Sequence, residues 1–344
     1  MKKRVLYFDI LKAIAIIFVI LIHVISEHWL LLDVNSNSFI SLTFLDSLSR
    51  FCVPAYFMIS GAIFLNEDKK VTIKDILKKY VPRILLIFVF WNLAYNFIYL
   101  FVNKGTINFN TISTIIINTL LGKGIFHLYF LPIIIGFYLC VPLIKKITTK
   151  DNRDLLKYLI LLLFLVFGTE RLLMYFFNIK IDYSLLFGGY LIYFLLGYYL
   201  NTFSINKKNT RLIYILGIIG LIITFVGTII TSKERGITDV FFKYDTFNVI
   251  MYSSFIFLFV KNNLNKANER VLGILSKTNF GIYLIHGLVL GLLEYIGIFN
   301  RIDSTSITLS VLVNVIIIYI VSLICVSILI KIPGIRRLVS LEKR

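Results

Sequence analysis

The chain has 344 residues, 58% of them hydrophobic and only 16% charged, with a formal net charge of +18 and a mean hydropathy of +0.88. A soluble domain carries roughly 25% charged residues, whereas the apolar residues here fall in blocks of about 20, enough to cross ~30 Å of hydrocarbon at ~1.5 Å per residue. This excludes a soluble enzyme with an anchor. The confinement of Lys and Arg to short loops excludes a nucleic-acid partner. The expected fold is an all-α polytopic membrane bundle, one domain over 1–344 with no separate soluble part, in contact with the lipid bilayer.

Ten spans are expected, near 5–26, 43–65, 82–102, 125–144, 155–176, 183–203, 211–231, 243–262, 272–297 and 307–331. The two ends and the loops after spans two, four, six and eight carry 26 of the 36 Lys and Arg, and the alternate loops carry seven. By the positive-inside rule both termini are cytoplasmic. One outer loop, 108–124, is amphipathic enough to lie on the outer interface. Cys52, Cys140 and Cys325 all lie inside apolar blocks and read as small core hydrophobes rather than a disulfide framework.

The first span carries polar residues that hydrocarbon penalises. Lys12 and His23 are eleven positions apart, about 20° beyond three full helical turns and roughly 16 Å along the axis. Asp9 lies one turn before Lys12 and Glu27 one turn after His23, so the four form one stripe, expected to face the bundle interior or a water-filled cavity. The second span brings Arg50 into the membrane from the outer side, followed by Pro54 and the close-packing pair Ser60-Gly61. An intramembrane Arg needs a partner or an anionic ligand, and here it is a candidate for substrate binding. The fourth span opens with His127 at its outer mouth, near the expected level of His23. The ninth places His286 deeper, with Tyr283 one turn before it. Three of the four histidines thus lie in or at the ends of spans. Histidine suits proton transfer near neutral pH. No His-x₃-His pair or Cys/His cluster suggests a metal.

Four motifs in order resemble the membrane acyltransferase-3 family. They are Lys12, ten residues and His23; "SRFCVPAYFMISG" (49–61); "FHLYFLPIIIGFYLCVPLI" (126–144); and "FGIYLIH" (280–286). Position 12 is Lys where many members have Arg, Tyr129 stands where Trp is usual, and the third-span Arg-x-x-Arg is reduced to Arg83. The compact form is similar to that of members acting on enterobacterial common antigen. The resemblance implies a cytoplasmic-membrane enzyme that moves an acetyl group from acetyl-CoA to a hydroxyl of an extracellular glycan or lipid-linked saccharide. Acetyl-CoA is the donor substrate, and no metal cofactor is expected.

Lys12 and Arg83, with Asp9 beside Lys12, are then candidates for the donor's phosphates. His23 is the candidate base or acyl carrier, with Glu27 or Asp9 orienting it and His127 and His286 as further catalytic candidates. Ser60, Tyr129 and Tyr283, with Arg50, are the substrate-binding candidates. The alternative is a transporter or flippase whose path the stripe lines, although no broken helices at matching places in two halves are evident.

Overall fold

The first predicted span forms one uninterrupted helix, α1 (Leu6–Trp29), since its apolar run contains neither Pro nor Gly. The computed structural model describes residues 5–102, 108–121, 126–178, 189–264, 269–297 and 306–341, and every regular element among them is helical. The greater part of the predicted outer loops 177–184 and 298–306 lies outside the described residues.

The second predicted span is interrupted. It forms α2 (Asn37–Ser49) and α3 (Cys52–Phe64), with Arg50 and Phe51 between them. Pro54 is the physical reason. It has no N–H to give the carbonyl of Arg50, and its ring would clash there, so the helical hydrogen-bond ladder is interrupted at this point. Pro54 sits instead in the first turn of α3, where an N–H has no helical partner anyway. The interruption is local: Arg50 and Phe51 keep right-handed helical φ and ψ, and Asn37–Phe64 is one helical stretch long and apolar enough to cross a membrane. Pro82 acts similarly: after the short, Thr72-capped α4 (Ile73–Asp75), a π-helical turn (Ile76–Tyr80) precedes α5 (Val81–Val102).

Then follow α6 (Phe109–Leu120), a 3₁₀ turn (Phe126–Tyr129), α7 (Phe130–Ile147), α8 (Arg153–Phe177), α9 (Tyr190–Thr202), α10 (Lys207–Arg235), α11 (Phe247–Asn263), α12 (Glu269–Tyr295), α13 (Ile307–Leu329) and the short α14 (Arg336–Val339). The amphipathic α6 buries Ile115 and Thr119, and Thr119 donates to Asn92 of α5 at 3.3 Å.

Helix α1 is central, packed on α2, α3, α11, α12 and α13. Leu11, Ala15, Ile16, Ile20 and Ile25 on its buried side are 1% exposed or less. Helices α3 and α9 cross at backbone contact. A Cβ on Gly61 would lie 1.8 Å from the Phe194 carbonyl oxygen, and one on Gly197 1.9 Å from that of Met58. Small residues permit this approach.

Among the described residues, seven helical stretches are long and apolar enough to cross a membrane, and they coincide with predicted spans one to five, seven and ten. Within the other three, α9 has 13 residues, α11 has 17 and α12 has 27. The protein is an all-helical, multi-pass membrane protein.

Candidate active site

One cavity of about 650 Å³ runs along α1 and is lined by Lys12, Val19, Ile22 and His23. These positions share one helical face, so a straight helix exposes both polar residues to a single space. Helices α3, α5, α7 and α12 supply most of the remaining wall.

At one end a polar network holds Lys12. Its ammonium lies 3.7 Å from the Asp9 carboxylate, and Asp9, itself buried, accepts a 2.7 Å hydrogen bond from Ser276. Asn279 donates to the Lys12 carbonyl at 2.7 Å, and Tyr56 donates to Asn279 at 2.8 Å. Lys69, Arg83 and Lys277 line the same end, and among the described residues no Asp or Glu lines the cavity. This end suits an anion.

At the other end three imidazoles converge from three elements. The ring centroid of His23 lies 5.2 Å from that of His286, with the planes within 28° of parallel. His127, in the 3₁₀ turn, lies 6.1 Å from His23 and 5.0 Å from His286. His286, expected deeper in the membrane, is in ring contact with both other histidines. Nδ1 of His286 lies 2.7 Å from the Tyr283 carbonyl oxygen. A carbonyl only accepts, so Nδ1 carries the proton and the lone pair is on Nε2. That Nε2 is buried and has no hydrogen-bond partner among the described residues.

The surroundings hold this cluster in place. The Tyr283 hydroxyl donates to the His127 carbonyl at 2.7 Å. The Tyr95 ring packs 4.8 Å from His127. Its hydroxyl donates to the Leu284 carbonyl at 2.9 Å and accepts from the Leu288 N–H at 3.1 Å. His23 and His127 line the cavity, as do Ser60, Tyr129 and Tyr283.

Two predicted site residues stand apart. Glu27 is exposed on the last turn of α1 and does not line the cavity. Its angle on the wheel is close to that of His23, but the cavity ends below it. Arg50 is not in the cavity wall either. It pairs with Asp46 one turn earlier, with side chains 13% and 6% exposed, and its guanidinium lies 4.2 Å over the Phe242 ring. Its charge is satisfied within the protein.

Sequence reasoning missed Tyr56, Lys69, Tyr244, Ser276, Lys277 and Asn279. A signal existed for Asn279 and Tyr56, which are polar groups inside apolar spans. Lys69 and Lys277 were indistinguishable from other loop cations. Cys52, free and buried, also lines the cavity. Among the described residues no group of His, Cys, Asp or Glu has an arrangement that could hold a metal ion.

A family model described as an acyltransferase domain, of the acyltransferase-3 type, matches residues 5–331. No curated protein and no solved structure matches the chain significantly. With the match covering nearly its whole length, and the motif residues Lys12, His23 and His127 lining one cavity, the chain belongs to the acyltransferase-3 family.

Proposed function

We propose that this membrane acyltransferase transfers an acetyl group from cytoplasmic acetyl-CoA to a hydroxyl of a cell-surface or lipid-linked polysaccharide, of which enterobacterial common antigen is one example. The observation that carries this reading is a continuous cavity with a cationic end at Lys12 and an imidazole end at His23. Both termini are taken as cytoplasmic on the distribution of Lys and Arg, and the membrane as the cytoplasmic membrane. The donor's phosphates then bind at the Lys12 end, and its pantetheine arm extends along α1 toward the histidines.

In this reading His23 removes the proton from the acceptor hydroxyl, and the oxygen attacks the thioester carbonyl. The C–O bond forms, the C–S bond breaks, and the CoA thiolate takes the proton from the His23 imidazolium. His127 and His286 orient His23 and share its proton. The continuity of the cavity favours this direct transfer over an acyl-imidazole carrier, because a donor lying in it has its thioester next to His23.

The test is purified protein in nanodiscs with radiolabelled acetyl-CoA, together with the alkali-labile acetate content of surface polysaccharide in cells. His23→Ala at normal protein level is expected to lose glycan acetate and acetyl-CoA turnover. Movement of a saccharide across vesicles without acetyl-CoA consumption supports the transporter alternative instead.

A further inference from the structure

Tyr95, in α5, lies outside the four sequence motifs, yet it reaches the turn of α12 that carries His286. The side chain is buried. Its hydroxyl donates to the Leu284 carbonyl at 2.9 Å and accepts from the Leu288 N–H at 3.1 Å. These two groups are four residues apart, so they are the pair that an α-helix bonds directly to each other. The hydroxyl therefore takes part in one rung of the α12 ladder, and a side chain inserted at a rung opens a helix locally. The approach needs glycine at 287, since a Cβ there would stand 3.0 Å from the hydroxyl oxygen.

The neighbouring rung is entered by a second side chain. His286 Nδ1 donates to the Tyr283 carbonyl at 2.7 Å, with the Ile282 carbonyl at 3.2 Å. In a regular helix the Tyr283 carbonyl receives the Gly287 N–H. Consecutive rungs of one turn are thus shared with side chains, 284/288 with the Tyr95 hydroxyl and 283/287 with the His286 imidazole. The second contact holds the proton on Nδ1 and leaves the lone pair on Nε2, which is buried and has no hydrogen-bond partner among the described residues. The Tyr95 ring also packs against His127, with centroids 4.8 Å apart.

We propose that Tyr95 is a positioning residue for acyl transfer: by holding the 284/288 rung it keeps the Tyr283 carbonyl placed to accept from His286 Nδ1, and so keeps the Nε2 lone pair within the histidine cluster. This rests on the acyl-transfer reading above and adds to it a residue of α5. Without the hydroxyl, the Leu288 N–H and the Leu284 carbonyl have each other as partners, so no backbone group is orphaned and the fold survives. The rung closes, the turn tightens, and the His286 ring moves with it.

The full-length protein in nanodiscs, labelled with ¹⁵N-histidine, reports the tautomer by NMR. The chain has only four histidines, and the His286 signals are those lost in His286→Phe. The wild type is expected to hold His286 in the Nδ1–H form. Tyr95→Phe keeps the ring against His127 and removes only the hydroxyl. It is expected to convert part or all of His286 to the Nε2–H form and to lower kcat about tenfold, less than the ~10²-fold that a 1 Å misplacement can cost. The acetyl-CoA KM and the thermal midpoint should stay nearly unchanged. Tyr56→Phe, a hydroxyl lost at the other end of the cavity, is expected to leave the His286 signals as they are. A wild-type His286 in the Nε2–H form overturns the proposal without any variant. So does Tyr95→Phe with wild-type kcat or with unchanged His286 signals. A fall in kcat matched by a fall in thermal midpoint, with the tautomer kept, also overturns it and makes Tyr95 merely structural. Each of these leaves the acyl-transfer reading standing. Absence of acetyl-CoA turnover in the wild type refutes both.

Discussion

His127 lies against His286 because the residue after His286 is glycine. A Cβ on Gly287 would stand 2.9 Å from Cε1 of His127 and 3.0 Å from the Tyr95 hydroxyl oxygen, in the space that lets the two imidazole centroids approach to 5.0 Å. Gly287→Ala is therefore expected to push the His127 ring out of the cluster and to lower acyl transfer more than tenfold. Gly291, one turn on, has nothing within 4 Å of a built Cβ. Gly291→Ala should leave activity unchanged and add up to ~1 kcal/mol of helix stability. Initial rates and thermal midpoints of the two variants in nanodiscs check both halves of the comparison, and equal activity of the two would reject the steric argument.

Loss of His23 should be the most damaging change in the cluster. General acid–base catalysis contributes ~10²–10⁴-fold, so His23→Ala is expected to reduce acetyl-CoA turnover by that amount with the protein still folded. His286→Phe keeps a buried ring but removes the Nε2 lone pair. A smaller loss, about tenfold or more, is expected, since His286 is 0% exposed and acts on substrate through its neighbours. Turnover in His286→Phe equal to wild type would remove it from the proton path.

Tyr56 reports on the other end. Its hydroxyl holds Asn279, which in turn holds the Lys12 carbonyl. Tyr56→Phe removes one hydrogen bond worth ~0.5–1.5 kcal/mol, so the acetyl-CoA KM should rise about two- to tenfold with kcat little changed. A fall in kcat at constant KM would place Tyr56 with the chemistry instead.

The sequence pattern exposed some of this arrangement and concealed the rest, for physical reasons. Lys12 and His23 were legible as partners because both project from one straight helix, where angle follows from spacing. Glu27 misled because a wheel gives direction but not how far neighbouring helices extend. The coming together of His127 and His286 depends on how separate helices pack, which spacing within either one does not encode. The interruption at Arg50–Phe51 is readable from Pro54, whose missing N–H falls opposite the Arg50 carbonyl. The cationic mouth combines α1, α5, α12 and the C-terminal segment, so its members had no local signature among the many loop cations.

Asp46 and Arg50 were also readable, as an i, i+4 pair, and the pair changes what Arg50 is expected to do. With both side chains mostly buried, removing one partner leaves an uncompensated charge, which costs ~3–5 kcal/mol. Arg50→Gln and Asp46→Asn should each lower the thermal midpoint substantially. The double variant should be more stable than the sum of the single losses predicts, with a coupling of a few kcal/mol. The same cycle separates the structural role from the substrate-binding role suggested by the sequence. A residue that binds acceptor would change the acceptor KM at constant thermal midpoint, and removal of Asp46 would not rescue it. Non-coupled midpoints in the cycle would return Arg50 to the substrate site.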